Sequence, residues 1–506
     1  MIMSEIIIGK HTLESLTSGM YSDPYVVFRE YIQNSVDSID EAIKQKIIPK
    51  GTDRIEVCVA PAEKMITIED NGIGLSTAFA ETTLISIGNS KKTSDNSRGF
   101  RGIGRLSALS YCSKLIFETS AIEENKGTRI EIDALKLAEL LSENSGDDTS
   151  VIEVIKKVYQ FHTFSEAVHS HYFRVIMKGV DEASGLLSVL DIEDYLSQNI
   201  PVPYHPDFTW GKEITKRLRA EKHYEPKYNI YLTFGNNTKQ IFKPYRNEFL
   251  VDKSKNLYDK INDISLINIK QQNGDMSAIG WLARTNYLGS IYDKSIKGIR
   301  IRKGNILVGD SQTLNVVFKD ARFNGWSIGE IFAVDSKLIP NARRDNFEKN
   351  PAYFLLYEQL MTIASGIAKD IRSTSLARNA ELSKALEKVE KTKGLANDAL
   401  ENGVSSSQKQ QIKQQLSLSK ELIVKSATNN GVDSIDQEIA FDELDLLIGS
   451  MSGATAYKAL NVATCLTKIE RKTLERVFNI LKDKLGNDAE PLFSEIIDEF
   501  QKEAKE

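Results

Sequence analysis

The sequence predicts an α+β protein of several domains that ends in a helical region. Three observations predict it. Strand-like segments near the N-terminus are joined by turn-length gaps while helical segments come in groups, which argues against a parallel doubly wound sheet. A second run of alternating segments follows a proline-rich stretch. From Ser373 onward the composition turns to Lys, Glu, Gln, Ala and Leu.

In order, helices are expected at Leu13–Thr17, Tyr25–Gln45 and Gly104–Tyr111, and strands at Arg54–Ala60, Met65–Glu69, Lys114–Thr119 and Gly127–Ile132. The first two strands are separated only by "PAEK", so they should pair as a hairpin. The polar stretch Ser142–Ser150 reads as an exposed insertion, and "FRVIMKGV" (Phe173–Val180) as a return to the first sheet. "IPVPYHPDF" marks the best domain boundary, giving domains 1–210 and 211–372. In the second, "YNIYLTF", "SAIGWLA" and "GIRIRKGNILVG" alternate as half-buried strands do. A helical connector, 373–430, is expected as two helices broken at Gly394 and "ENGVSSS", followed by a helical domain, 431–506.

With 506 residues the chain exceeds one core, and 41% hydrophobic and 27% charged residues suit a water-soluble protein. A net charge of −5 supplies no global field for nucleic acid. Cys58, Cys112 and Cys465 are far apart, so neither a zinc site nor a disulfide framework is indicated. The start of the chain is too short in apolar residues for a signal peptide, and no apolar run nears the roughly 18 residues of a membrane helix. The expectation is a cytoplasmic protein with no membrane partner.

The segment "FREYIQNSVDSIDEAI" has two faces. At about 100° per residue, Phe28, Ile32, Val36, Ile39 and Ile43 share one stripe, and Glu30, Asn34 and Asp37 share the opposite one. Alone this is an amphipathic helix with a wet face. "MITIEDNGIGL" ends a strand with Asp70 and then Gly72 and Gly74, which lets backbone approach a flat ligand beside a carboxylate; it is equally an ordinary turn. "SRGFRGIGRLS" leads Gly99, Gly102 and Gly104 into a helix, a place where amide N–H groups suit phosphates. It is neither a Walker loop nor a dinucleotide fingerprint. Lys91 and Lys92 lie in the polar run before it, a candidate lid. Gly127 and Thr128 open a strand, where a threonine is most often only a good strand former.

In this order and spacing the four pieces resemble the GHKL ATPase superfamily of gyrase B, the heat shock protein 90 chaperones, histidine kinases and MutL. The N-terminal run "IIIGKHTLESLTSGMYSDPYVVFREYIQNSVDSIDEAI" is most similar to the chaperones. The resemblance covers residues 5–135. It implies a Bergerat-type sandwich, with helices on one face of a mixed, largely antiparallel sheet, that binds ATP with Mg²⁺ and hydrolyses it. It implies Glu30 as general base, Asn34 as the Mg²⁺ ligand, and Asp37 near the ribose and phosphates. Asp70 would accept the adenine amino hydrogen, with Gly72 and Gly74 against the base and Thr128 supporting adenine beside Asp70. Gly99, Gly102, Ile103 and Gly104, with Lys91, would close over the phosphates. The family usually carries aromatic residues where Arg101 and Arg105 stand, and Arg105 is expected at the surface.

Downstream, "LIPNARRDNFEKNPAYFLLYEQL" resembles the chaperones' middle-domain loop that delivers an arginine to the γ-phosphate, which points to Arg344. These resemblances imply a homodimeric, nucleotide-gated clamp acting on an unidentified client protein. The alternative is a clamp on DNA, for which the basic strand around Arg300 and Arg302 is the one supporting feature; a solvated strand face is its plainer reading. A histidine kinase is disfavoured because no phosphoacceptor helix pair precedes the motifs. A non-hydrolysing nucleotide scaffold is disfavoured by Glu30.

Overall fold

The computed structural model describes residues 23–85, 104–142, 151–402, 406–430, 435–453 and 468–503. The helix expected at Leu13–Thr17, the lid run and nearly all of the Ser142–Ser150 insertion lie outside the described residues. The chain forms two compact units, one of residues up to Ala368 except Ser254–Tyr258, the other of that short segment with Lys369–Glu506.

The first unit opens with α1, Val26–Lys44. A hairpin follows, β1 (Ile55–Ala60) and β2 (Met65–Asp70), in antiparallel register with Ile55 opposite Asp70. After α2 (Thr77–Ile85) come β3 (Cys112–Ser120), β4 (Lys126–Asp133), α3 (Ala134–Leu141), α4 (Val151–Val158), β5 (Tyr159–Ser165) and β6 (Tyr172–Val180). Next are α5 (Val189–Asn199), α6 (Trp210–Ala220), β7 (Ile230–Phe234) and β8 (Asn237–Gln240). The sheet has eight strands in the order β5-β4-β3-β6-β2-β1-β7-β8, antiparallel apart from the β1–β7 pair. "FRVIMKGV" is therefore a central strand.

One face of this sheet carries the core. The apolar stripe of α1 (Phe28, Ile32, Val36, Ile39) is buried against Ile55, Val57, Ile66, Ile68, Phe117, Val175 and Met177. The other face is a ladder of charges. Arg174 bonds Glu69 at 2.7 Å and Glu118 at 2.8 Å, and Arg129 reaches Glu118 and Glu131 at 2.5 and 2.7 Å. Period-two alternation thus separates a helix-covered face from a polar one.

A second sheet is built from β11 (Asp263–Lys270), β12 (Met276–Arg284), β13 (Gly298–Lys303), β14 (Ile306–Val308) and β15 (Ile328–Ala333), preceded by the β9 (Glu248–Asp252) and β10 (Leu257–Lys260) ribbon. Its order is β11-β12-β15-β13-β14. The boundary expected near residue 210 does not divide the two sheets. α6 packs on the second sheet through Ile214 and Leu218, yet "YNIYLTF" returns to the first as β7. Tyr228 donates to Asp40 at 2.7 Å and the Asn229 amide to Asp53 at 2.7 Å, which hold that return in place.

The expected half-buried basic strand is also corrected. In β13 both Arg300 and Arg302 are buried, at 1% and 0% exposure. Neither forms a solvated face or a surface for DNA.

α7, Pro351–Asn402, is one continuous helix of 52 residues, so the expected break at Gly394 does not occur. A mid-helix glycine costs only about 1 kcal/mol relative to alanine, and Val389 and Ala396 on either side are buried. In the second unit α7 packs with α8 (Ser406–Asn430) and α9 (Ile435–Gly453) through Val389, Ala396, Leu416, Leu444 and Met451. α10 (Lys468–Leu485) and α11 (Ala489–Glu503) share Leu474, Phe478, Phe493 and Ile497. Leu444 and Met451 of "DELDLLIGSM" are buried in this unit's own core, while Leu446 is exposed. Among the described residues no helix is long and apolar enough to cross a membrane.

Candidate functional site

The polar stripe of α1 is held where its apolar stripe puts it, over the carboxyl end of β2. Asp70 ends that strand and is 2% exposed. Its Oδ1 accepts the Gly72 amide at 2.9 Å, while its Oδ2 is buried without a hydrogen-bond partner among the described residues. Burial pushes the Asp70 carboxyl up to about 7, against the opposing pull of the Ser35 hydroxyl, the Gly72 amide and the Ser38 hydroxyl. A buried polar atom left unsatisfied is costly, so this oxygen marks a place for a donor.

The loop after Asp70 fits closely around it. A Cβ on Gly72 would lie 2.2 Å from Ser38 Oγ. Gly74 has φ +67°, and a Cβ there would lie 1.9 Å from the Ser120 carbonyl oxygen. Only glycine meets both demands at residue 74. His171 Nδ1 donates to the Gly72 carbonyl at 2.8 Å and fixes the loop from the side of β6.

One turn of α1 from its start, Glu30 forms a second focus. Its carboxylate faces Gly104, where a Cβ would lie 2.1 Å from Oε2. Arg344 Nε approaches Glu30 Oε1 to 3.8 Å, and both side chains are 11% exposed. Arg29 reaches the same oxygen at 3.5 Å and donates to the Arg343 carbonyl at 3.1 Å. Arg344 comes from a tight loop after β15 and has φ 58°. Its amide donates to the Asn341 carbonyl at 3.1 Å, its carbonyl accepts the Gly309 amide at 2.7 Å, and Asn341 donates to Asp345 at 2.6 Å. Asn34 and Asp37 are half-buried between the two foci.

A helix and a sheet end thus carry a buried acceptor at one place and, further along the helix, a carboxylate flanked by two arginines. Residues 21–160 match the family described as histidine kinase-, DNA gyrase B-, and HSP90-like ATPase. This segment is similar to that ATPase family. The chain is also similar to a chaperone protein HtpG of Halalkalibacterium halodurans, 26% identical over 189 residues. That match takes in 34% of this chain and spans 30% of the relative's length.

Within this segment the structure corrects three expectations. Thr128 is not brought to Asp70. The register sets Asp70 opposite Phe173, Phe173 opposite Thr119, and Thr119 opposite Thr128, so two strands intervene. Three inter-strand spacings of about 4.8 Å place the two residues roughly 14 Å apart along the sheet. Phe173, not Thr128, is the cross-strand neighbour of Asp70. The second correction concerns Gly104, which opens a 3₁₀ segment, Gly104–Ser110, in place of an α-helix. That segment must reach β3 within a few residues, and Tyr31 and Cys112 bind the carbonyls of Arg105 and Ala108. Arg105 is half-buried and its guanidinium donates to the Thr83 carbonyl of α2, so it is not a surface residue. Lys91, Gly99, Arg101, Gly102 and Ile103 lie outside the described residues.

Sequence reasoning missed Arg29, Ser38 and His171. Ser38 follows Asn34 by one helical turn and was open to the same reading. Arg29 sits beside Glu30 on the buried side of α1. His171 carries no local signal, since its partner is 99 residues away.

Proposed function

We propose that this chain binds Mg-ATP in its N-terminal domain and hydrolyses it, with Asp70 as the adenine acceptor, Glu30 as the general base and Arg344 as the cation at the γ-phosphate. The observation that carries this reading is the buried Asp70, whose Oδ2 has no hydrogen-bond partner among the described residues. An adenine amino group is a donor of the right kind, and Gly72 and Gly74 allow a flat base to approach the backbone. Gly104 lets the backbone pass close to the Glu30 carboxylate, where any side chain would collide with it. Asn34 offers a single carboxamide oxygen and Asp37 a carboxylate near the phosphate path, a donor set that suits Mg²⁺ held chiefly by phosphate and water oxygens. When bound, Mg²⁺ would neutralise charge on the phosphates. Lys91, Gly99, Gly102 and Ile103 are assigned to the loop over the phosphates by resemblance.

Phosphoryl transfer needs positioning and charge stabilisation more than covalent chemistry. Glu30 orients and deprotonates the attacking water. Arg344 arrives from outside the ATPase segment, so hydrolysis depends on how that loop is seated. We read the whole chain as a homodimeric, nucleotide-gated clamp or chaperone-like ATPase in the cytoplasm, acting on a protein client. The DNA-clamp reading gains no support from Arg300 and Arg302, which are buried.

The test is nucleotide titration of wild type and Asp70→Asn. A hydrogen bond to a charged acceptor contributes about 1.5–3 kcal/mol, so the variant should bind ATP roughly 10- to 100-fold more weakly. Binding at wild-type strength would contradict the assignment. The pH dependence has a definite sign. The free protein holds the Asp70 proton up to about 7, and the adenine donor favours the ionised form. Affinity should therefore rise with pH up to about 7 and flatten above it, with proton release on binding seen by calorimetry in two buffers. The free protein should lose stability as pH rises from 3.8 to about 7, because the folded state binds more protons there than the unfolded chain.

A further inference from the structure

A buried ionic cluster ties α5 and the segments around Tyr204 and Lys243 to the sheet that carries the Arg344 loop. Glu330, on β15, is 0% exposed. Its Oε2 accepts Lys243 Nζ at 2.8 Å and Tyr204 Oη at 2.7 Å, and its Oε1 accepts Arg302 Nε. Burial pushes the Glu330 carboxyl up, but the adjacent Arg302 and Lys243 charges more than offset this and hold it below the usual carboxylate range. Arg302 then spends its fork on two further segments. Nη2 donates to the Gln198 carbonyl at the end of α5 at 2.8 Å, and Nη1 to the Asn305 carbonyl in the β13–β14 turn at 3.3 Å. Arg300 adds a 3.0 Å bond to Gln198 Oε1.

These contacts close a circuit. α5 packs on α1, the Glu30 helix, with Tyr195 stacked on Tyr25 at 5.6 Å between centroids. α5 also packs on β14, and β14 runs directly into Gly309, whose amide holds the Arg344 carbonyl. Glu30 and Arg344 are thus two ends of one chain of contacts whose midpoint is Arg302.

We propose that Arg302 is a positioning residue, whose simultaneous hold on Glu330 and on the Gln198 carbonyl sets the Arg344 loop against Glu30. The inference rests on the proposed roles of Glu30 and Arg344. Its chemistry is specific to a guanidinium. Lysine keeps the charge beside Glu330 but has no planar fork to span Glu330, Gln198 and Asn305. Removing the whole cluster offers a second route, provided Glu225, which faces the charges of Lys243, Glu330 and Arg302, is neutralised with it, because a buried ionic group can be exchanged for uncharged side chains of similar volume with little loss of stability.

The experiment compares the full chain as wild type, two latch variants (Arg302→Lys and the quadruple variant Glu225→Gln/Lys243→Met/Arg302→Met/Glu330→Leu), and Arg344→Ala. Melting curves establish which variants fold, ATP titration reads the nucleotide site, and turnover reads the Arg344 contribution. Hydrogen exchange by mass spectrometry reads the loop without reference to activity. The folded latch variants should keep ATP affinity within about twofold and lose at least ~10-fold in turnover, since displacing a group by about 1 Å can cost up to 10²-fold. Peptides covering 194–200 and 338–348 should exchange faster, and those of β2, β3 and β6 should not. Adding Arg344→Ala to Arg302→Lys should lower turnover little further. Unchanged exchange at 338–348, or wild-type turnover in Arg302→Lys, overturns the proposal. If Arg344→Ala itself turns over like wild type, the role of Arg344 fails, while exchange in the latch variants still decides whether Arg302 seats the loop.

Discussion

Glu30→Ala is expected to bind Mg-ATP about as tightly as wild type and to lose turnover by roughly 10²- to 10⁴-fold, the range that general base catalysis supplies. Two structural facts separate binding from chemistry here. The buried acceptor at Asp70 is on β2 at the sheet end, and Glu30 is in the first turns of α1, against Gly104. Removing the Glu30 carboxylate leaves the Asp70 loop untouched. It also leaves Arg29 and Arg344 without their shared anion, so a modest loss of stability of the nucleotide-free protein is expected alongside. Isothermal titration with ATP and a phosphate-release assay on the same preparation distinguish the two effects. Wild-type turnover in Glu30→Ala would remove it as the base.

Arg344→Ala should lower turnover by about 10²-fold or more, again with ATP affinity nearly unchanged. Cations supplied to the transferring phosphoryl group from a separate segment contribute on this scale because they stabilise charge that develops only in the transition state. Arg344 is not a loose surface residue. Its Nε lies 3.8 Å from Glu30, its backbone has φ 58°, and its carbonyl is tied to the Gly309 amide at 2.7 Å. Neighbouring Arg343 gives its carbonyl to Arg29 on α1. The loop is therefore fastened both to α1 and to the end of β14 in the second sheet. Arg344→Lys should recover only part of the activity, since a point charge on a flexible stem does not reproduce a planar fork held at one angle. Initial rates at saturating ATP check both variants.

Local periodicity made much of this legible. The stripe Phe28–Ile32–Val36–Ile39 placed α1, and the four-residue "PAEK" gap placed the β1–β2 hairpin, because both depend on residues close in sequence. The Glu30 and Asp70 sites inherit that clarity. Relations between distant segments were not legible. β6 enters the sheet between β2 and β3, so a motif order that put Thr128 beside Asp70 fails on register. In β13 the alternation of Ile and Arg looks amphipathic, but the partners that allow its arginines to be buried, Glu330 and Gln198, lie far away in the chain. Residues 201–243 alternate between the two sheets, which a proline-rich stretch read as a linker cannot reveal.

The central claim is that Glu30 and Arg344, 314 positions apart in the chain, act in one site. The most direct test is a double-mutant cycle on single-turnover ATP hydrolysis with wild type, Glu30→Ala, Arg344→Ala and the combination. If the two residues act together on one transition state, the double variant should turn over about as slowly as Glu30→Ala alone while still binding ATP. Losses that multiply independently would contradict the account.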